Sequence, residues 1–288
     1  MKLYPIQCGK FKLDGGAMFG VVPKSLWERT NPADSKNLIE LGTRSLLVED
    51  GKKLILIDCG LGNKQDEKFF GHYSLYGDDT LEKNLAKYGF VKDDITDVFL
   101  THLHFDHCGG AIEWNDDKSG YRPAFKNAQF WTNENHWQWA TEPNPREKAS
   151  FLKENILPMQ ESGQLQFLPT PKTGNYGFAP DLKMDVIFVD GHTEKQMLPV
   201  IQYQEKTIVF AADLIPTAGH IPQVYVMGYD TRPLLTMEEK GKFLKQCVEN
   251  EYLLFFEHDA HHELASLKMT EKGVKLDETF SFNEVFGY

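Results

Sequence analysis

"DITDVFLTHLHFDHCGG", residues 94–110, starts as an apolar strand and ends in two glycines, with His102, His104, Asp106 and His107 crowded into six positions between them. In an extended segment residues i and i+2 point the same way. His102 and His104 would therefore present their imidazoles side by side, Asp106 would follow on that face, and His107 would swing in as the chain curls. Imidazole and carboxylate are ligands that Zn²⁺, Fe²⁺, Mn²⁺ and Co²⁺ accept. Four such groups exceed what one tetrahedral ion with an open position requires, which points to two metals. A lone histidine at a strand end is ordinarily a polar residue and no more, but this density of ligands, fed by "DVFL" and closed by Gly109 and Gly110, is a metal site.

A binuclear site needs further ligands, each expected at a strand terminus. His192 follows "VIFVDG", Asp213 follows "TIVFAA", and His258 follows "YLLFFE". Asp190 and Glu257 are the neighbouring titratable groups. His72, His136 and His220 sit in loops or helices without that pattern, and His261 and His262 lie past the strand end, so these five read as structural. Cys108 reads as a packed neighbour of the ligands.

Working outward, residues 3–22 read as two short strands around "LDGGAM", and "SLLVEDGKKLILID" (45–58) as a hairpin turning at Asp50 and Gly51. "TLEKNLAKYGF" (80–90) has helical spacing and stops at Gly89. "AQFWT" follows as a strand, 133–140 and 146–157 as helices, then the strands of 182–191 and 198–213 with a turn at Glu205 and Lys206, a helix over 236–250, and "YLLFFEH". The two halves repeat one coarse order. That order predicts an α/β (α+β) chain in a single domain over 1–288, a four-layer αββα sandwich of two mixed β-sheets flanked by helices, with the strand ends along one edge.

Composition fits a globular domain with a large core: 41% of the 288 residues are hydrophobic and 12% aromatic. A net charge of −11 without a basic stripe argues against nucleic acid as a partner. No stretch approaches the ~20 apolar residues of a membrane span, and the N-terminus lacks a signal-peptide run, so a cytoplasmic location away from membranes is expected. Cys8, Cys59, Cys108 and Cys247 lack CxxC spacing and suit reduced thiols.

Together, His102, His104, Asp106, His107, His192, Asp213 and His258 resemble the HxHxDH…H…D…H signature of the metallo-β-lactamase superfamily. The resemblance implies that His102, His104 and His192 hold one divalent ion, that Asp106, His107 and His258 hold a second, and that Asp213 bridges them with a hydroxide. It implies zinc first among the possible metals, a supporting role for Asp58 in "LILIDCG", and a homodimer. A buried structural aspartate in a turn is an equal reading of Asp58. Asp106 and Asp213 are the expected catalytic carboxylates, with Asp106 orienting the hydroxide and shuttling a proton. There is no G-x-S-x-G elbow to support a serine hydrolase instead.

Within the superfamily, "DGGAMFGVVPKSLW" (14–27) and "ADLIPTAGHIPQVYVMGYD" (212–230) look like a group that includes N-acyl homoserine lactone lactonases and methyl parathion hydrolase. The implied activity is hydrolysis of a small-molecule lactone or ester, of the quorum-quenching type. Phosphotriester or aryl-ester hydrolysis is the alternative, and an iron-dependent persulfide dioxygenase-like redox reaction is a second one. Pro216 stands where some lactonases have a tyrosine. Met18, Phe19, Trp27, Phe105 and Ile215 are candidates to line an apolar substrate pocket, with core packing the competing role for each.

Overall fold

The computed structural model describes residues 1–287, and the chain forms two compact units, Met1–Lys10 with Thr43–Lys183 and Phe11–Gly42 with Met184–Tyr288. The mixed α/β class with two mixed sheets and helices, expected from the sequence, is what the chain adopts. Among the described residues no helix is long and apolar enough to cross a membrane.

In the first unit Leu46–Asp50 and Lys53–Ile57 pair as the expected antiparallel hairpin. Ile55–Ile57 then runs parallel to Asp97–Phe99, and those residues parallel to Gln129–Trp131. Parallel strands are covered on both faces, so these stretches are continuous apolar runs, not alternating ones. The core gathers Leu47, Leu56, Leu85, Val98, Leu100, Phe125, Phe130 and Met159, all fully buried or nearly so. Each such Leu or Phe contributes roughly 1.5–3 kcal/mol in transfer terms. The register Ile57↔Phe99 releases Asp58 and the histidine segment from the same sheet edge.

The second unit has a parallel pair of its own. Lys206–Phe210 pairs with Leu253–Phe255 in the register Phe210↔Phe255. Asp213 and His258 each lie three residues beyond these partners, and that shared offset brings them to one place. On the other side of Lys206–Phe210, Gln196–Tyr203 and Met184–Val189 continue the sheet antiparallel, with Val189↔Gln196 closing the turn that carries His192. Phe210, Phe255 and Phe282 pack ring against ring in this core.

Three expectations need correction. Residues 3–22 do not make two strands around a turn. Lys2–Asp14 is one strand, and Asp14 then caps a short helix, Gly15–Phe19, by accepting from the Ala17 N–H at 2.8 Å. The helix expected over 146–157 is instead Lys153–Glu161, because Asn144 and Glu147 hold the chain before it in turns. Finally, the segment after His104 is not extended: Phe105–Cys108 is a single helical turn. Gly109 behind it has right-handed φ −58. It is glycine because a Cβ there would meet the Leu61 carbonyl oxygen at 2.1 Å, and one on Gly110 would meet that of Cys59 at 2.1 Å. Close backbone approach, not a special turn, is what these two glycines serve.

Candidate metal centre

In the first unit Asp58, fully buried, accepts three hydrogen bonds. They come from Thr101 N (2.8 Å), Thr101 Oγ1 (2.6 Å) and His107 Nδ1 (3.0 Å). Its φ of +54 turns the chain out of Lys53–Ile57 so that the carboxylate faces the histidine segment. The Thr101 hydroxyl hydrogen is spent on Asp58, so its oxygen accepts from His102 Nδ1 at 3.1 Å. Glu147 likewise takes the His104 Nε2–H at 3.3 Å while accepting from Trp139 and Asn144.

These partners fix the tautomers. His102 and His104 are left with unprotonated nitrogens, Nε2 and Nδ1, facing each other at 3.1 Å. His107 Nε2, also unprotonated, stands 4.0 Å from Asp106 Oδ2, and the His102 and His107 ring centroids are 3.9 Å apart.

The second unit repeats the pattern. His192 Nδ1 donates to Asp230 Oδ1 at 2.9 Å, and His258 Nδ1 donates to the Gly42 carbonyl at 2.8 Å. Their Nε2 atoms each face one oxygen of Asp213, Oδ2 for His192 and Oδ1 for His258, both at 3.1 Å. Burial resists a charge on His192, but Asp213 and Asp230 outweigh it and push its pKa up to about 10.

Two acceptor atoms at 3.1 Å repel unless a cation lies with them, either a metal ion or, in its absence, a proton such as the one His192 turns toward Asp213. The donor set fits divalent metal ions: each inner nitrogen can offer a lone pair, the outer ones are held by carboxylates, a hydroxyl or a carbonyl as metal-binding histidines require, and Asp213 offers an oxygen to each of two imidazoles. The structure thus brings His102, His104, Asp106 and His107 together in one unit, and His192, Asp213 and His258 together in the other.

Several residues in these networks carried no signal in the sequence. Glu147 and Asp230 orient His104 and His192 from 43 and 38 residues away. His136, read as structural, is fully buried with Nε2 accepting the Leu103 N–H at 2.8 Å, which pins the backbone between two candidate ligands. His136→Ala should strand that buried N–H and open a cavity, costing about 2–4 kcal/mol. Urea unfolding checks this, and an unchanged midpoint would contradict it.

The five apolar candidates fall into two groups. Met18, Phe19, Trp27 and Ile215 are buried in the second unit. Phe19 is stacked between Trp27 (5.3 Å) and His220 (4.1 Å). His220 is itself fixed by Thr217 Oγ1 and the Met18 carbonyl; burial, then the Lys240 charge, hold its pKa down to about 3. Phe105 lies in the first unit under Phe69 (5.3 Å) and Tyr73 (4.6 Å). Burial and the nearby Asp106 charge push the Tyr73 phenol up to about 12. Cys108 is buried with its thiol on the Leu103 carbonyl at 3.3 Å, and the four cysteines are free.

Comparison with known proteins adds independent support. The family model described as "Metallo-beta-lactamase superfamily" matches residues 38–246, more than half of the chain. An N-acyl homoserine lactonase of Bacillus thuringiensis is 23% identical over 275 residues, 91% of this chain and 94% of that protein. Among solved structures, a "probable metal-dependent hydrolase from Staphylococcus aureus" is similar with a TM-score of 0.85 and 28% identity, covering 97% of this chain and 96% of that one. A dizinc quorum-quenching lactonase in complex with a product matches with a TM-score of 0.76 and 22% identity over 97% of this chain and 95% of its own, a likeness of fold.

Proposed function

The chain belongs to the metallo-β-lactamase superfamily, and we propose that, as a hydrolase of that family, it opens lactones or related esters using two divalent ions held by His102, His104, Asp106, His107, His192, Asp213 and His258. The observation that carries this is the tautomer pattern. Five imidazoles have one nitrogen committed as donor and turn the other toward a second acceptor. Two such ions, zinc being our first choice, supply Lewis acidity toward the acyl oxygen and a water acidified to near neutrality.

The chain's own residues do the rest. Asp58, Glu147, Asp230 and the Gly42 carbonyl keep the imidazoles in their ligating tautomers. Asp106, part-exposed at the first turn after His104, orients the attacking water and carries its proton toward the leaving oxygen. Phe105 with Phe69 and Tyr73 gives an apolar wall suited to an acyl chain. Similarity to lactonases over nearly the full chain favours N-acyl homoserine lactones as the substrate class.

The test loads the protein with zinc, counts metal per chain, and assays N-hexanoyl-homoserine lactone, an aryl acetate and a phosphotriester side by side. About two metals per chain, lactone opening as the fastest reaction, and loss on chelation restored by zinc are expected. Fewer than one metal per chain, or no ester or lactone turnover, would overturn the reading. A faster phosphotriester reaction would move the substrate class, and iron-specific oxygen consumption would replace hydrolysis altogether.

A further inference from the structure

Within the first unit lies a cavity of about 310 Å³, and none of the candidate metal ligands lines it. Ligand pockets run from roughly 300 to 1,000 Å³, so a small molecule fits. Its floor is apolar: Cys59, Leu61, Leu81, Ile112 and Ala124 are all buried. The backbone behind that floor is tightly joined. The Gly110 N–H donates to the Gly60 carbonyl at 2.9 Å, and a Cβ on Gly62 would meet the Gly109 carbonyl oxygen at 2.6 Å, so the two strips of chain touch with no side chain between them.

The rim is charged, and its acids are all partnered. Lys92 stands between Glu113 at 2.6 Å and Glu82 at 3.3 Å. Asp79 accepts from Asn84 Nδ2 at 3.1 Å and faces Lys87 Nζ at 3.9 Å. Lys10 differs: among the described residues its ammonium makes no hydrogen bond and no ion pair. It is nevertheless placed. In the strand Lys2–Asp14 residues i and i+2 share a face, so Lys10 projects on the side of Cys8, which also lines the cavity. Its carbonyl accepts from the Tyr76 N–H at 3.0 Å, and its stem runs beside Gly77, where an added Cβ would lie 3.9 Å from Lys10 Cδ.

A cation without a partner at the rim of an apolar floor is complementary to a single negative head on a short aliphatic tail. We propose that this cavity binds a medium-chain aliphatic carboxylate, with the carboxylate on Lys10 Nζ and the tail against Leu61, Leu81 and Ile112. Binding is non-covalent, and the site stands apart from the hydrolase reading: it needs neither turnover nor a substrate at the histidines.

Octanoate is the probe, titrated calorimetrically into the zinc-loaded protein. A carboxylate can also coordinate zinc, so the location must be read from variants. Lys10→Met keeps the stem and removes the charge, and Lys10→Arg keeps the charge; Lys10 has no partner to lose in either. One binding step should weaken at least about fivefold in Lys10→Met and persist in Lys10→Arg. Acetate, which lacks the tail, should not show that step. Cys8 gives a second readout at the site itself, because it alone of the four thiols is partly exposed. Saturating octanoate should slow its alkylation by iodoacetamide severalfold. Identical octanoate isotherms for wild type and Lys10→Met overturn the proposal, as does a Lys10-dependent step that acetate reproduces. Alkylation of Cys8 that octanoate leaves unchanged overturns it too, since the ligand then lies elsewhere.

Discussion

Replacing Asp213 with alanine is expected to cut hydrolysis by at least about 10³-fold and to leave fewer than two metals per chain. The size follows from what its two oxygens face. Oδ1 and Oδ2 stand 3.1 Å from Nε2 of His258 and His192, so one buried carboxylate answers two imidazoles at once. Without it, both Nε2 atoms face an uncharged gap, and the counter-charge that raises the His192 pKa is lost, so that pKa falls. Asp213→Asn is the informative companion. It preserves the shape and one acceptor oxygen but turns an NH₂ group toward one histidine, so it should lose one metal preferentially. Metal analysis alongside lactone or ester assay checks both variants. Full turnover by Asp213→Ala would sink the binuclear reading, whatever the metal content.

How much of this was legible in the sequence depends on range. Candidate ligands within one segment show themselves by density, as His102 to His107 do. Asp213 and His258 could be picked out because each ends an apolar strand, and the parallel register Phe210↔Phe255 is the physical reason that an equal offset from the two strands brings them together. Their orienting partners have no such signature. A glutamate in the loop before Lys153 looks like any solvated acid until the chain folds back and sets Glu147 against His104 and Trp139. The same contacts explain the misplaced helix, since helical spacing over 146–157 says nothing of a side chain recruited 43 residues away. At the N-terminus, "DGG" carries the composition of a hairpin turn. Here the aspartate caps a helix, and Gly15 makes room for Trp27, whose ring atom would lie 2.3 Å from an added Cβ. Local pattern pointed to most of the strands and to the candidate ligands; the contacts that orient those side chains came only from tertiary packing.

The heaviest cost to stability should come from Asp58→Ala, about 3–5 kcal/mol, with weakened metal retention. Asp58 is completely buried and satisfies three donors from two residues, Thr101 N, Thr101 Oγ1 and His107 Nδ1. Alanine leaves all of them without an acceptor in a site closed to water. The Thr101 hydroxyl is then released to turn its hydrogen toward His102 Nδ1, and His107 is released to take either tautomer, so two imidazoles lose the arrangement that directs their Nε2 lone pairs inward. Stability and metal affinity should therefore fall together. Asp58→Asn separates charge from geometry. Asparagine tolerates the left-handed φ of +54 as well as aspartate does, so the turn survives, but its NH₂ must face a donor at either orientation. The expected loss is smaller than for alanine and remains above about 1 kcal/mol. Denaturant unfolding of metal-free protein reads the structural part, and zinc titration of the same variants reads the ligand-orienting part. If Asp58→Ala unfolded like the wild type, the carboxylate would have no part in holding the segment. If it were destabilised yet bound zinc with unchanged affinity, Asp58 would support the fold while the imidazole tautomers were set by something else.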